Sequence, residues 1–115
     1  MLTRRPGKSW PTTSALGIGA MSFTDFYGPT NKEESFECLD AARDHGITFI
    51  DTAEIYGKGL SEELIGEYQK ARGHSFNIAT KGGIIIGGKR GEADNSEKAL
   101  RKALEGSLKL SLIHI

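Results

Sequence analysis

The chain has 115 residues, which at roughly 100–200 residues per domain allows a single domain at most. Lys and Arg total 15, balanced by 15 Asp and Glu, so there is no basic footprint for nucleic acid and too little charge for disorder. The apolar runs are far shorter than the ~18 residues of a membrane span, and the single cysteine, Cys38, excludes an internal disulfide or a multi-cysteine zinc site.

The N-terminus carries Arg4-Arg5. The only apolar run behind it, Ala15 to Met21, contains two glycines and lacks a cleavage pattern, so no export signal is expected and the expected location is cytoplasmic. The same run is too short for a helix and reads as a buried strand entering a Gly-rich turn. Thr30-Asn31-Lys32-Glu33 has the form of a capping box. Phe36, Leu39, Ala42 and Arg43 follow at helical spacing, and Gly46 supplies the stop. Cys38 lies beside that apolar stripe and is expected in the core rather than as a nucleophile.

Ile47-Thr48-Phe49-Ile50 is β-branched and aromatic, a second strand ending at Asp51. Ser61 is expected to cap a second helix, with Glu62 and Glu63 in its first turn where the helix dipole favours acids. Leu64, Ile65, Tyr68 and Ala71 form the expected buried stripe. A third strand spans Ser75 to Thr80 and delivers Lys81. After a Gly-rich loop, Leu100, Ala103, Leu104, Ser107 and Leu108 mark a third amphipathic helix. Strands alternating with helices imply an α/β fold with parallel strands joined by right-handed crossovers.

Chemistry in such folds lies beyond the carboxyl ends of the strands. There the sequence brings Asp51, Tyr56 and Lys81 to one face. A free tyrosine, with a pKa of about 10, is a poor proton donor at neutral pH, and lowering it by about 2–3 units takes roughly 3–4 kcal/mol. An ammonium about 4 Å away supplies on the order of 4 kcal/mol at an effective dielectric near 20. A neighbouring carboxylate keeps that ammonium charged. The trio reads as a proton-delivery device for an oxygen that becomes an alkoxide. On spacing alone, a loop-capping Asp51, a solvated Lys81 and a packing Tyr56 remain the alternative.

Gly46-Ile47-Thr48-Phe49-Ile50-Asp51-Thr52-Ala53-Glu54-Ile55-Tyr56-Gly57, followed by Ser61-Glu62-Glu63-Leu64-Ile65-Gly66, resembles the aldo-keto reductase signature. Leu16 to Met21, Phe26-Tyr27-Gly28-Pro29 and Ala79-Thr80-Lys81 are similar to that family's first strand, first loop and third strand. The resemblance implies a (β/α)8 TIM barrel of which this chain holds the N-terminal part, about three β/α units, since a closed barrel takes about 250 residues. It implies NADP(H) as cofactor and a small-molecule carbonyl substrate, an aldehyde or ketone, with no nucleic-acid or membrane partner and no metal. Tyr56 would be the general acid, Lys81 its partner and Asp51 the carboxylate holding Lys81. Gly19, Ala20, Met21 and Asp51 would lie beside the cofactor, whose hydride the protein only positions.

Departures from the family pattern set further expectations. The family's catalytic histidine should fall near position 122, so His114 arrives about eight residues early and is not expected to fill that role. Leu110 to Ile115 resembles a translated sequencing adaptor, so residues 1–109 are expected to form the partial domain and 110–115 a non-native tail. Pro6, Trp10 and Pro11 are expected to weaken or abolish the N-terminal hairpin of the family. The 115-residue chain is then expected to be an inactive fragment.

Other signals are weaker. Gly17-Ile18-Gly19 lacks the third glycine of a dinucleotide fingerprint, and Gly83 to Lys89 has Arg90 where a phosphate loop needs Ser or Thr. His45 and His74 sit at helix-to-strand junctions, opposite the expected chemistry. Two alternatives to reduction stand beside it: Schiff-base chemistry at Lys81, and a cofactor-binding partner protein similar to potassium-channel β-subunits.

Overall fold

Three parallel strands form the centre of the computed structural model, which describes residues 1–111; His114 and the other residues of 112–115 lie outside the described residues. An antiparallel pair, β1 (Thr3–Arg4) and β2 (Thr13–Ser14), precedes them. Then follow β3 (Ile18–Gly19), α1 (Lys32–Asp44), β4 (Phe49–Asp51), α2 (Leu60–Arg72), β5 (Asn77–Ala79) and α3 (Glu97–Ser111). The parallel order is β3-β4-β5, with Gly19 opposite Asp51 and Asp51 opposite Ala79. The α/β alternation expected from the sequence is therefore present.

The strands are shorter than their apolar runs. Residues 15–17 lie outside the ladder, and the chain leaves it again at Ala20 for a 3-10 turn, Ala20–Phe23. The hairpin weakened by prolines on paper does form, because Pro6 and Pro11 fall outside the two paired residues of each strand. It is anchored to the amino end of β4: the amides of Ser14 and Thr48 each donate to the other's hydroxyl at 2.9 Å.

Helix boundaries correct two capping expectations. Asn31, not Thr30, caps α1, its side chain accepting from the Glu34 amide at 2.9 Å. The Thr30 amide instead donates to Asp25. Gly46 ends α1 as expected, with a φ of 76°. Ser61 does not cap α2; Gly59 precedes the helix and Ser61 is buried within it.

The core lies between the sheet and α1 and α2, where Ala20, Phe23, Leu39, Ile50, Leu64, Ile65, Tyr68 and Phe76 pack together. Three expected core positions are exposed instead: Ala71, Leu100 and Leu104. Cys38 is exposed as well, one step round α1 from buried Leu39. Helix α3 touches the rest through small residues. Ala103 faces Gly82, Ser107 is buried, and Gln69 donates to the Ser111 carbonyl at 2.9 Å. Its leucines 100 and 104 are thereby turned outward. The helix continues through Leu110 and Ser111, the first two residues of the expected tail.

An ionic cluster joins α1 to α2. Arg72 donates to both Asp40 oxygens, at 3.1 and 3.0 Å, the Tyr68 hydroxyl donates to the same carboxylate at 2.9 Å, and Arg43 is ion-paired with it at 2.9 Å. The Arg72 hydrogen bond, then that of Tyr68, holds the Asp40 carboxyl down at about 2, below its ordinary 3.8. Burial, aided by Asp40, pushes Tyr68 up to about 12. Because the folded Asp40 value is depressed, its stabilisation is complete above about pH 4 and is lost as pH falls through 2. Thermal melts should therefore show Asp40→Asn less stable than the parent at pH 7, with the gap closing towards pH 2. A gap independent of pH would contradict this linkage.

Candidate active site

Parallel pairing carries the carboxyl ends of β4 and β5 to the same edge of the sheet. Asp51 is the last residue of β4, and Lys81 lies two residues beyond the end of β5. The Lys81 Nζ donates to Asp51 Oδ1 at 2.6 Å and to the Thr52 carbonyl at 2.8 Å. Burial by itself lowers the Lys81 pKa, but the Asp51 hydrogen bond and charge, with a smaller contribution from Tyr56, outweigh it and push the ammonium above its ordinary 10.5. The lysine is therefore charged throughout the neutral range.

Tyr56 is brought to this pair by the backbone of its own loop. The Glu54 amide donates to the Lys81 carbonyl at 3.0 Å and the Tyr56 amide to Ala53 at 3.1 Å, folding the loop back over the end of β5. The Lys81 Nζ then lies 5.3 Å from the centre of the Tyr56 ring. Asp51, Tyr56 and Lys81 thus lie together at the carboxyl edge of the sheet.

The backbone after Tyr56 is left-handed for three consecutive residues: Gly57, Lys58 and Gly59 have φ of 60°, 56° and 96°. Only Lys58 bears a side chain there, at a cost of roughly 1–2 kcal/mol. A Cβ at Gly57 would also meet the Thr24 methyl at 2.8 Å and the Leu60 Cβ at 2.9 Å. This tight reversal lets α2 begin directly behind the tyrosine.

Tyr56 lines two clefts. The smaller, about 110 Å³, is shared with Lys81, Ala53, Gly82 and Ile84. Ile55 lines both, and the larger, about 510 Å³, adds Met21, Phe26 and Leu60, apolar side chains beside the phenol. Of the residues expected to hold a cofactor, Gly19 is exposed, and among the described residues no atom beyond its chain neighbours lies within 4 Å of where a Cβ would stand. Its register opposite Asp51 puts a residue without a side chain next to the carboxylate. Met21 is half-buried in the following turn, with the Tyr27 hydroxyl donating to its sulfur at 3.8 Å. Ala20 is wholly buried, and its carbonyl accepts from Ser61 Oγ at 2.9 Å.

Three contributors were not legible from the residue pattern. The Thr52 carbonyl is a backbone atom, on which sequence is silent. Ser61 and Glu62 are both fully buried at the start of α2, where first-turn polar residues ordinarily face water. Ser61 Oγ is 2.9 Å from Thr52 Oγ1, and Glu62 Oε1 accepts from the Thr80 hydroxyl at 2.6 Å. The hydroxyl residue just before Lys81 was the available signal for Glu62.

The loop from Gly83 to Asp94 is closed on itself by a bridge between Ile84 and Ala93, and Glu92 takes the Lys89 amide at 2.9 Å. Those donors are not gathered for a phosphate. His45 Nδ1 donates to the Ala41 carbonyl oxygen, 2.8 Å away at the end of α1, and His74 packs on Phe76. Both lie at helix-to-strand junctions, away from the Asp51–Lys81 end of the strands. No helix among the described residues is long and apolar enough to cross a membrane.

Residues 15–112 match the model of the aldo/keto reductase family. The chain is 38% identical over 111 residues to an aldo-keto reductase [NADP(+)] of Schizosaccharomyces pombe, covering 93% of this chain and 32% of that protein. It is 42% identical over 85 residues to an aryl-alcohol dehydrogenase [NADP(+)] of Phanerodontia chrysosporium, covering 68% of this chain and 22% of the relative. The chain thus spans about a third or less of these relatives. In structure it is similar to the holo form of an aldo-keto reductase from Bacillus halodurans, with a TM-score of 0.80 and 31% identity, covering 97% of this chain and 37% of that one. Its three β/α units are accordingly part of a (β/α)8 barrel, and the chain belongs to the aldo/keto reductase family.

Proposed function

We propose that this chain carries the proton-delivery part of an NADPH-dependent reductase that converts aldehydes and ketones to alcohols. The observation that carries the reading is the Lys81 ammonium, 2.6 Å from Asp51 and 5.3 Å from the Tyr56 ring centre, in a cleft that the tyrosine shares. Reduction of a carbonyl leaves negative charge on its oxygen, and Tyr56 is the group at this edge with an O–H to give. The phenol loses its proton beside a fixed ammonium, which stabilises the resulting phenolate. Asp51 and the Thr52 carbonyl hold that ammonium in place and keep it charged.

The exposed Gly19, with Met21 and Asp51 beside it, fits a nicotinamide cofactor at the same edge. When bound, that cofactor supplies the hydride. The NADP(+) in the names of two relatives supports the phosphorylated form. The raised Lys81 favours proton delivery over Schiff-base chemistry, because imine formation needs a neutral amine.

A chimera in which residues 15–111 replace the matching part of the Schizosaccharomyces pombe relative tests the reading. It should oxidise NADPH in the presence of an aldehyde. The 115-residue chain by itself should bind NADPH weakly or not at all in a fluorescence titration and should not turn over, since it spans only 32% of that relative. A folded but inactive chimera would count against the assignment, as would micromolar NADPH binding by the chain alone against its inactivity.

A further inference from the structure

We propose that Ser61 and Glu62 are positioning residues: from the first turn of α2 they clamp the three parallel strand ends in the placement that lets Lys81 reach Asp51. The inference rests on the reductase reading for its purpose, and on side-chain geometry for its substance. Ser61 Oγ donates to the Ala20 carbonyl beyond β3 at 2.9 Å, so its lone pairs are left to accept from Thr52 Oγ1 beyond β4, also at 2.9 Å. Glu62 takes the hydroxyl of Thr80 beyond β5 at 2.6 Å. One dipeptide thereby touches all three strand ends.

The two tethered threonines adjoin the reacting pair. Thr52 follows Asp51 and offers Lys81 its carbonyl, and Thr80 precedes Lys81. The backbone ladder sets the strand register, and the directional side-chain bonds add fixed anchors just beyond its end, where the reacting side chains leave the sheet. A displacement of about 1 Å at a catalytic group can cost on the order of 10²-fold in rate. The clamp is also costly to build, which argues that its polar atoms are not incidental. Ser61, Glu62 and Thr52 are all fully buried, and Glu62 Oε2 has no hydrogen-bond partner among the described residues. Among the described residues, only Thr80 holds the carboxyl group in place.

The test uses the 115-residue chain with labelled lysine, following the Lys81 side-chain titration by NMR and the exchange of the Glu54 amide, which donates to the Lys81 carbonyl. Thr80→Val and Glu62→Asp, the second keeping the carboxyl group but one methylene too short, should lower the Lys81 midpoint towards that of an ordinary lysine. In both, the Glu54 amide should exchange roughly tenfold faster, the scale of one lost hydrogen bond. Thr80→Ser and Glu62→Gln keep the hydroxyl and the accepting oxygen and should match the parent in both readouts. Parental titration and exchange in a folded Thr80→Val or Glu62→Asp chain overturn the clamp. If Thr80→Val does not fold, the Asp and Gln pair at position 62 decides, and a Gln variant as disturbed as the Asp variant also overturns it. Failure of the reductase reading shows elsewhere: the Lys81 titrations would follow the clamp while the chimera proved inactive.

Discussion

The chimera carrying Tyr56→Phe should reduce its aldehyde about 10²–10⁴-fold more slowly than the parent chimera, with little change in KM. Phenylalanine removes the O–H and nothing else. The ring stays in the wall between the two clefts, and its contact with the Lys81 ammonium, 5.3 Å from the ring centre, survives the change. The loss should therefore fall on kcat, because the missing proton is needed only as charge develops on the carbonyl oxygen. Lys81→Met in the same background removes the ammonium but leaves the donor, and should also lower kcat. Combining the two should cost little more than either change, since both act on one proton transfer. Activity within about tenfold of the parent in Tyr56→Phe would remove the phenol from the reaction.

Much of this edge could be read from residue order because strand ends are set by local signals. The β-branched run before Asp51 and the strand delivering Lys81 each end where a polar residue begins, and parallel pairing does the rest. Partner identity is less local. Thr30 and Asn31 are both good caps, and which one closes α1 depends on Asp25, whose carboxylate takes the Thr30 amide. Ser61 and Glu62 carry the composition of a solvated first turn, yet three strand ends lie above them. Helical periodicity marks an apolar face without saying what covers it. Leu100 and Leu104 show the gap most clearly, remaining 41% and 56% exposed because α3 meets the fold through Ala103, Ser107 and its last turn. Cys38 shows it on α1, where Leu39 faces the core and its neighbour faces water.

Two glycines inside helices should respond to alanine with opposite signs. Gly106, in α3, has ordinary helical backbone, and among the described residues no neighbouring side chain or packed element comes within 4 Å of where a Cβ would stand. Gly106→Ala should therefore stabilise the chain by up to about 1 kcal/mol through helix propensity alone. Gly66, in α2, gains the same propensity but loses more. A Cβ there would overlap the Leu110 carbonyl oxygen, a backbone atom that no rotamer change can move aside. The last turn of α3 would have to lift, breaking the bond from Gln69 to the Ser111 carbonyl at 2.9 Å. Overpacking of this kind typically costs about 1–3 kcal/mol, and the lost hydrogen bond adds roughly 1 kcal/mol. Even after the propensity gain, Gly66→Ala should lower the thermal midpoint by about 4–8 °C or more, while Gly106→Ala raises it. Hydrogen exchange should locate the loss at the carboxyl end of α3, leaving α1 and the strands protected. Equal and stabilising responses at both positions would mean that α2 and α3 do not approach each other at Gly66, and the docking of the third helix would have to be redrawn.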